Sequence, residues 1–374
     1  MKKILSTLLM LGAVTSCIYP YNPDIEDKEV DDILVVDGEI ILGGISTFTL
    51  SRISPINGAA LELPRGQAWI EDDAGSIYSS GSDPSSELTI DTGIAEIGHQ
   101  YRAHLQVGGE EYVSEWLTPK PAPEILGIAF DATDRMVNVK VSLDGGADGT
   151  GYIGVTFEET WEFHSEQEAL YIIDPKSWTF PPMMNEYPYY WCWRTAKPKD
   201  FVLIDYTSLD NPVIEDRQVY SFSRYDNRNH KKYSILVQAR SLAPEAYAYK
   251  NYIQDLSQVG GDLFTPEPGM LKGNFHCESD PGKQVLGLVY AATLSSRRAW
   301  LGTTYQMTRP VDDSYLIILT KEQMPSYYFM GYRPVKDIIR GEESGIGWGP
   351  ERCINCIVAG GTQEKPDFWD DADL

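Results

Sequence analysis

The sequence predicts a mainly β protein: an N-terminal immunoglobulin- or fibronectin-like sandwich, followed by a larger β-rich domain with one inserted α-helix. Three observations lead there. Short stretches rich in β-branched and aromatic residues recur along most of the 374 residues. Gly- and Asp-containing turns separate them at hairpin spacing. Only the segment from Pro244 to Gln258 keeps the three-four apolar spacing of a convincing helix.

The chain opens with Lys2 and Lys3, then an apolar run from Ile4 to Val14. These are the basic and hydrophobic regions of an export signal, and the run is too short to span a bilayer. It ends in Val14-Thr15-Ser16-Cys17, which resembles a bacterial lipobox. Residues 1–16 are therefore expected to be a lipoprotein signal peptide and Cys17 the lipidated residue. Several acyl chains hold a protein stably where a single one does not. Residues 17–32, acidic and proline-bearing, read as a lipidated tether.

Strands begin at 33–41, rich in β-branched residues, and continue at 46–52, where Phe48 and Leu50 share one side. Segments 67–71 and 76–79 flank Asp72-Asp73-Ala74-Gly75; segments 100–107 and 111–116 flank Gly108-Gly109. These read as two hairpins of a sandwich over 33–118. Thr118-Pro119-Lys120-Pro121-Ala122-Pro123 is a stiff linker, placing a boundary at 119–123. The second domain, 124–374, shows strand patterns at 125–130, 137–143, 152–157, 233–239 and 285–292. Its helix starts with Pro244 in the first turn. Ala246, Tyr249, Ile253 and Leu256 are expected to form one buried face, with Gly260-Gly261 as the stop.

Formal net charge is −24, and becomes −26 once Lys2 and Lys3 leave with the leader (29 basic against 55 acidic residues). Such a surface repels nucleic acid, so DNA and RNA are excluded as partners. Beyond Cys17 the cysteines are Cys192, Cys277, Cys353 and Cys356. An even number in an exported chain favours disulfides, and four cysteines allow three connectivities. Cys353 and Cys356 form a Cys-x-x-Cys pair, half of a zinc signature, with no second such pair. A thioredoxin-like motif should open a helix after a strand, whereas Gly360-Gly361 and Pro366 suggest turns. The expectation is a staple that ties the C-terminal tail to the body, with Cys192 a candidate partner.

Gly149-Thr150-Gly151-Tyr152-Ile153-Gly154 matches G-x-G-x-x-G, but a β pattern follows it instead of a helix, so a hairpin loop is expected. Asp144 and Asp148 in the same loop lack the ligand pattern of a calcium hand. No nucleophile elbow, zinc-protease helix or phosphate loop occurs. His99, His104, His164, His230 and His276 show no metal-ligand spacing, and each reads as a surface or edge residue. The chain is expected to be no enzyme, with neither metal nor cofactor; a hydrolase with a motif-poor site is the minor alternative. One stretch is unusual: in residues 178–193, WTFPPMMNEYPYYWCW, seven of sixteen residues are Phe, Trp or Tyr, against 11% for the chain. Trp178, Tyr187, Tyr189, Tyr190, Trp191 and Trp193 are the candidate binding residues, since aromatics are enriched at interfaces and stack on sugars. The competing reading is a crossover loop that packs its own rings, pinned by Cys192.

Several short motifs in order carry a resemblance. They are Leu34-Val35-Val36-Asp37-Gly38, Tyr112-Val113-Ser114, Cys192-Trp193-Arg194-Thr195 and Ala243-Pro244-Glu245-Ala246-Tyr247. Leu263-Phe264-Thr265-Pro266, Gly273-Asn274-Phe275 and Cys353-x-x-Cys356 leading to Lys365-Pro366-Asp367-Phe368-Trp369 complete it. The chain resembles the domain-of-unknown-function 4249 family, lipoproteins of Bacteroidota. The resemblance implies an outer-membrane lipoprotein, often encoded beside TonB-dependent receptors, and supplies no catalytic residues. The expected partners are the outer membrane, through the N-terminal lipid, and a TonB-dependent receptor barrel in nutrient uptake. The membrane face is left open, and a surface adhesin or glycan-binding module is the alternative.

Overall fold

The computed structural model describes residues 33–53, 62–146, 149–198, 201–258, 273–301 and 311–373. The expected signal peptide 1–16, the tether with Cys17, Asp148, Gly260-Gly261 and the motif at 263–266 lie outside the described residues.

The protein is mainly β. In its first sheet β1 (Leu34–Leu42) pairs antiparallel with β2 (Ile45–Arg52), which pairs with β5 (Glu87–Asp91). In the second, β3 (Gly66–Asp72) is flanked by β4 (Ile77–Ser79) and β6 (Tyr101–Val107), and β6 by β7 (Glu110–Ser114). Strand alternation puts Phe48 and Leu50 inside while Thr47 and Thr49 face out. Val36, Ile40, Phe48, Leu50 and Ile90 meet Ile70, Tyr101, Ala103 and Leu105 of the facing sheet, and all are at most 1% exposed. The hairpin turn at Asp72 is local chemistry: its Oδ1 accepts from the Ala74 and Ser76 amides at 3.0 and 2.7 Å.

The sheets are not confined to 33–118. β15 (Phe275–Cys277) adds to β7, and β16 (Val285–Leu286) and β17 (Val289–Thr293) both run parallel to β1. The strand expected at 285–292 in the second domain thus completes the first sandwich. Gly287, between β16 and β17, has φ +100°, and a Cβ there would sit 1.8 Å from the Val36 carbonyl oxygen. Only glycine lets this chain lie so close along β1.

A second sandwich follows. One sheet holds β8 (Glu124–Ala132), β9 (Met136–Asp144) and β13 (Val213–Ser223), with β9 central. The other is built on the long β10 (Tyr152–His164), which pairs with β11 (Trp191–Ala196), β12 (Val202–Asp205) and β14 (Lys232–Ser241); β14 also pairs with β18 (Ser295–Leu301). Val137, Val139, Val141 and Leu143 face Ile153, Val155, Ile235 and Val237, all fully buried. The G-x-G-x-x-G segment leads into β10, and Asp144 Oδ1 is occupied by the Gly146 amide at 2.9 Å, so this is a strand-connecting loop.

Helix α1 (Pro244–Gln258) seals the junction of the two bodies. Ala246 is buried with Leu242, Leu288, Tyr290 and Ala292, and Tyr247 and Tyr249 pack beside them. Ile253 and Leu256, expected on that face, are 46% and 37% exposed. The junction covers only the first part of the helix, so the apolar stripe outruns the surface available to bury it. A small third unit contains β19 (Ile317–Ile318), α2 (Met324–Phe329), β20 (Tyr332–Arg340) and β21 (Glu343–Pro350). Residues 165–190, between β10 and β11, fold onto it: the Leu170 amide donates to the Val335 carbonyl and Ala169 joins its core.

Candidate functional site

Where β10 ends, at Phe163 and His164, a cleft of about 540 Å³ opens. Four segments wall it: Phe163 to Glu166, the turn carrying Tyr225, Asn227 and His230, the pair Val311 and Asp312, and the C-terminal Arg352 and Ala359. The covalent link that brings the tail here is Cys192–Cys356, which spans 164 residues. The tail is therefore stapled through Cys192. Cys277 and Cys353 are buried and reduced. Both had been candidates for pairing, but Cys277 lies in the core of the first sandwich and Cys353 in that of the third unit, so they cannot meet. Burial pushes the Cys353 thiol up to about 11. Among the described residues no group of three or more His, Cys, Asp or Glu side chains could hold a metal.

A ladder of rings stands at the cleft. His164 stacks between Tyr190, at 5.0 Å, and His230, at 4.2 Å. Trp191 meets His164 edge-on at 5.1 Å, while the Lys231 ammonium lies 4.6 Å from the Trp191 ring centre and Glu186 accepts from its indole N–H at 2.9 Å. His164 Nδ1 lies 2.6 Å from the Ser165 carbonyl oxygen. A carbonyl only accepts, so Nδ1 carries the proton and Nε2 of the neutral ring is left as an acceptor. His230 has its Nδ1 buried with no partner. Burial first, and neighbouring His164 second, push His230 down to about 4. At neutral pH His230 is therefore uncharged.

The turn that presents His230 is anchored from the core. Glu159 of β10 is fully buried and accepts from Arg228 Nε at 2.9 Å, Tyr233 at 2.8 Å and Tyr220 at 3.1 Å. Arg228 also lies 4.8 Å from the Trp161 ring centre and pairs with Asp226, whose Oδ1 caps the turn through the Arg228 amide at 3.0 Å. Burial and the Glu159 charge raise the Tyr220 hydroxyl to about 12.

The structure divides the aromatic stretch. Tyr190 and Trp191 back the cleft. Trp178 packs edge-on against Tyr328 at 5.8 Å, with φ of 53°, a conformation rare for a bulky residue. Tyr187 packs on the third unit's core and edge-on against Tyr189, which is 39% exposed. Burial raises the hydroxyls of Tyr187 and Tyr190. Trp193 exchanges backbone hydrogen bonds with Thr362 of the tail, at 2.7 and 2.8 Å.

Of the histidines, His104 is not at the surface: it is 7% exposed, stacked on Trp69 at 4.9 Å and bonded to Glu71 and Glu111. His164 and His230 become a pair only in the fold, 66 residues apart in sequence. No local signal joins them.

The family described as "Domain of unknown function (DUF4249)" matches residues 18–298. The third unit and the tail, with Cys356, lie beyond the matched residues. No curated protein matches the chain.

Proposed function

We propose that this chain, which belongs to the domain-of-unknown-function 4249 family, is a lipid-anchored binding protein of the cell envelope that acts as an accessory partner of an outer-membrane TonB-dependent transporter. The observation that carries the binding role is the ring-backed cleft at His164 and His230, held by a buried ion pair and a disulfide. Rigid walls of this kind lower the ordering cost of binding. The leader pattern ending at Cys17 supports the anchor, and a tether would raise the effective concentration of the cleft beside a barrel. The test is purification of the tagged protein from its own host in mild detergent, with quantitative identification of co-purifying proteins. A TonB-dependent barrel in near-equal amount is the expected result; a protein that emerges alone sinks the transporter role.

A glycan-binding module is the second reading. The exposed rings of Tyr189 and Tyr225, 39% and 48% accessible, favour it. Glycan-array binding that disappears in Trp191→Ala would select it.

A further inference from the structure

A second recess, of about 250 Å³, lies where the two sandwiches face each other. One wall is the outer face of β1 and β2, with Glu39, Thr47 and Thr49; the other is the outer face of β10 and β14, with Thr156, Gln238 and Arg240. Strand alternation puts these side chains here, since Phe48, Leu50, Val237 and Ala239 point into the two cores.

The charges in this recess are already matched. Arg240 binds Glu39 through Nη1 and Thr156 through Nη2, and Tyr290 donates to Glu39 at 2.6 Å. Lys250 lies 3.6 Å from Asp37, and Phe201 packs under both cations, 5.4 Å from Arg240 and 4.8 Å from Lys250. Two acids and two bases leave no net charge for an ion to answer. Hydrogen-bonding capacity, in contrast, is left over. Arg240 is 3% exposed, yet its Nε has no partner. The hydroxyls of Thr47 and Thr49 and the amide of Gln238 make no hydrogen bond among the described residues. A buried guanidinium N–H without an acceptor is costly, and an oxygen brought by a ligand removes that cost.

We propose that this recess binds a small neutral polyol of monosaccharide size, with a ligand oxygen on Arg240 Nε and further hydroxyls on Thr47, Thr49 and Gln238. A hydroxyl both donates and accepts, which is what two hydroxyls, a carboxamide and an N–H require together. A free anion would meet Asp37 and Glu39; a free cation would meet Arg240 and Lys250. The site is separate from the His164 cleft and does not depend on its role.

The test is saturation-transfer NMR and calorimetry on the full-length protein in detergent, using D-glucose, D-galactose, D-xylose and myo-inositol, with glycine and succinate as zwitterionic and anionic comparators. At least one polyol is expected to bind. In the Thr47→Val/Thr49→Val double variant and in Gln238→Leu its affinity falls roughly tenfold, the size of one or two lost hydrogen bonds. All three sites lie on strand faces outside the cores, so the thermal midpoint stays put. Ile339→Ala, on the exposed face of the third unit, leaves polyol binding unchanged. Three results would each overturn the proposal: no polyol binds; glycine or succinate binds in their place; or binding survives the threonine variant as fully as it does Ile339→Ala.

Discussion

His230 lies 4.2 Å from His164, their rings within 19° of parallel. Two imidazolium rings could not stay so, and His230 is held neutral, at about 4 against an ordinary 6.5. The unfolded chain therefore takes up this proton first. The stability that neutral His230 contributes is fully present above about pH 6.5 and declines as pH falls toward 4. Urea midpoints measured from pH 7 to 4 should fall more steeply for the wild type than for His230→Gln. Parallel curves would show that the stack does not resist protonation.

The Cys192–Cys356 bond closes a loop of 164 residues. Chain-entropy reasoning puts the stabilisation from a loop of that size at about 5 kcal/mol, and measured losses run about 2–5 kcal/mol. Cys192→Ser/Cys356→Ser should lose stability in that range by equilibrium denaturation, and dithiothreitol should bring the wild type to the same value. Identical curves for oxidised wild type and variant would contradict the staple.

Glu159 is fully buried, whereas Arg228 keeps 20% of its side chain exposed. Removing one member of a buried pair strands the other, at about 3–5 kcal/mol. Arg228→Ala should approach the upper end, since it leaves the Glu159 carboxylate buried. Glu159→Ala should fall lower, because Arg228 can turn toward water and Asp226. In a double-mutant cycle the two losses should be far from additive.

Cys277 and Cys353 are 0% and 4% exposed. A Cys17→Ser variant in its native state should show no thiol reactive toward a dithiobenzoate reagent at pH 8. Denatured without reductant, it should show two. Four would contradict the disulfide, and rapid reaction in the native state would place Cys353 at the surface.

The sheets were legible where one face is core and the other solvent. Phe48 and Leu50 against Thr47 and Thr49 write β2 into the sequence directly. The pairing of β17 with β1 was not, because a parallel partner some 250 residues away leaves no mark on local periodicity. The β20–β21 hairpin was hidden by its glycines. Gly347 and Gly349 lie inside β21, where a Cβ would crowd Ile338 at 3.0 Å and Leu316 at 2.8 Å. The cleft was half legible: composition pointed to Tyr190 and Trp191, but His164 ends β10 and His230 sits in the turn before β14, and only folding joins them.

β17 leaves the first sandwich and, after Leu294 alone, becomes β18 of the second. At the other end, β1 begins one residue into the described chain, bonded to β2 on one side and to β16 and β17 on the other. Tension applied at residue 33 runs along the axis of β1. It loads those hydrogen bonds together, in shear, instead of peeling them one at a time. Whatever load β17 takes up passes straight into β18 and its partner β14. A chain held by its first residues and pulled by what it grips would carry the force through both bodies as a single strut.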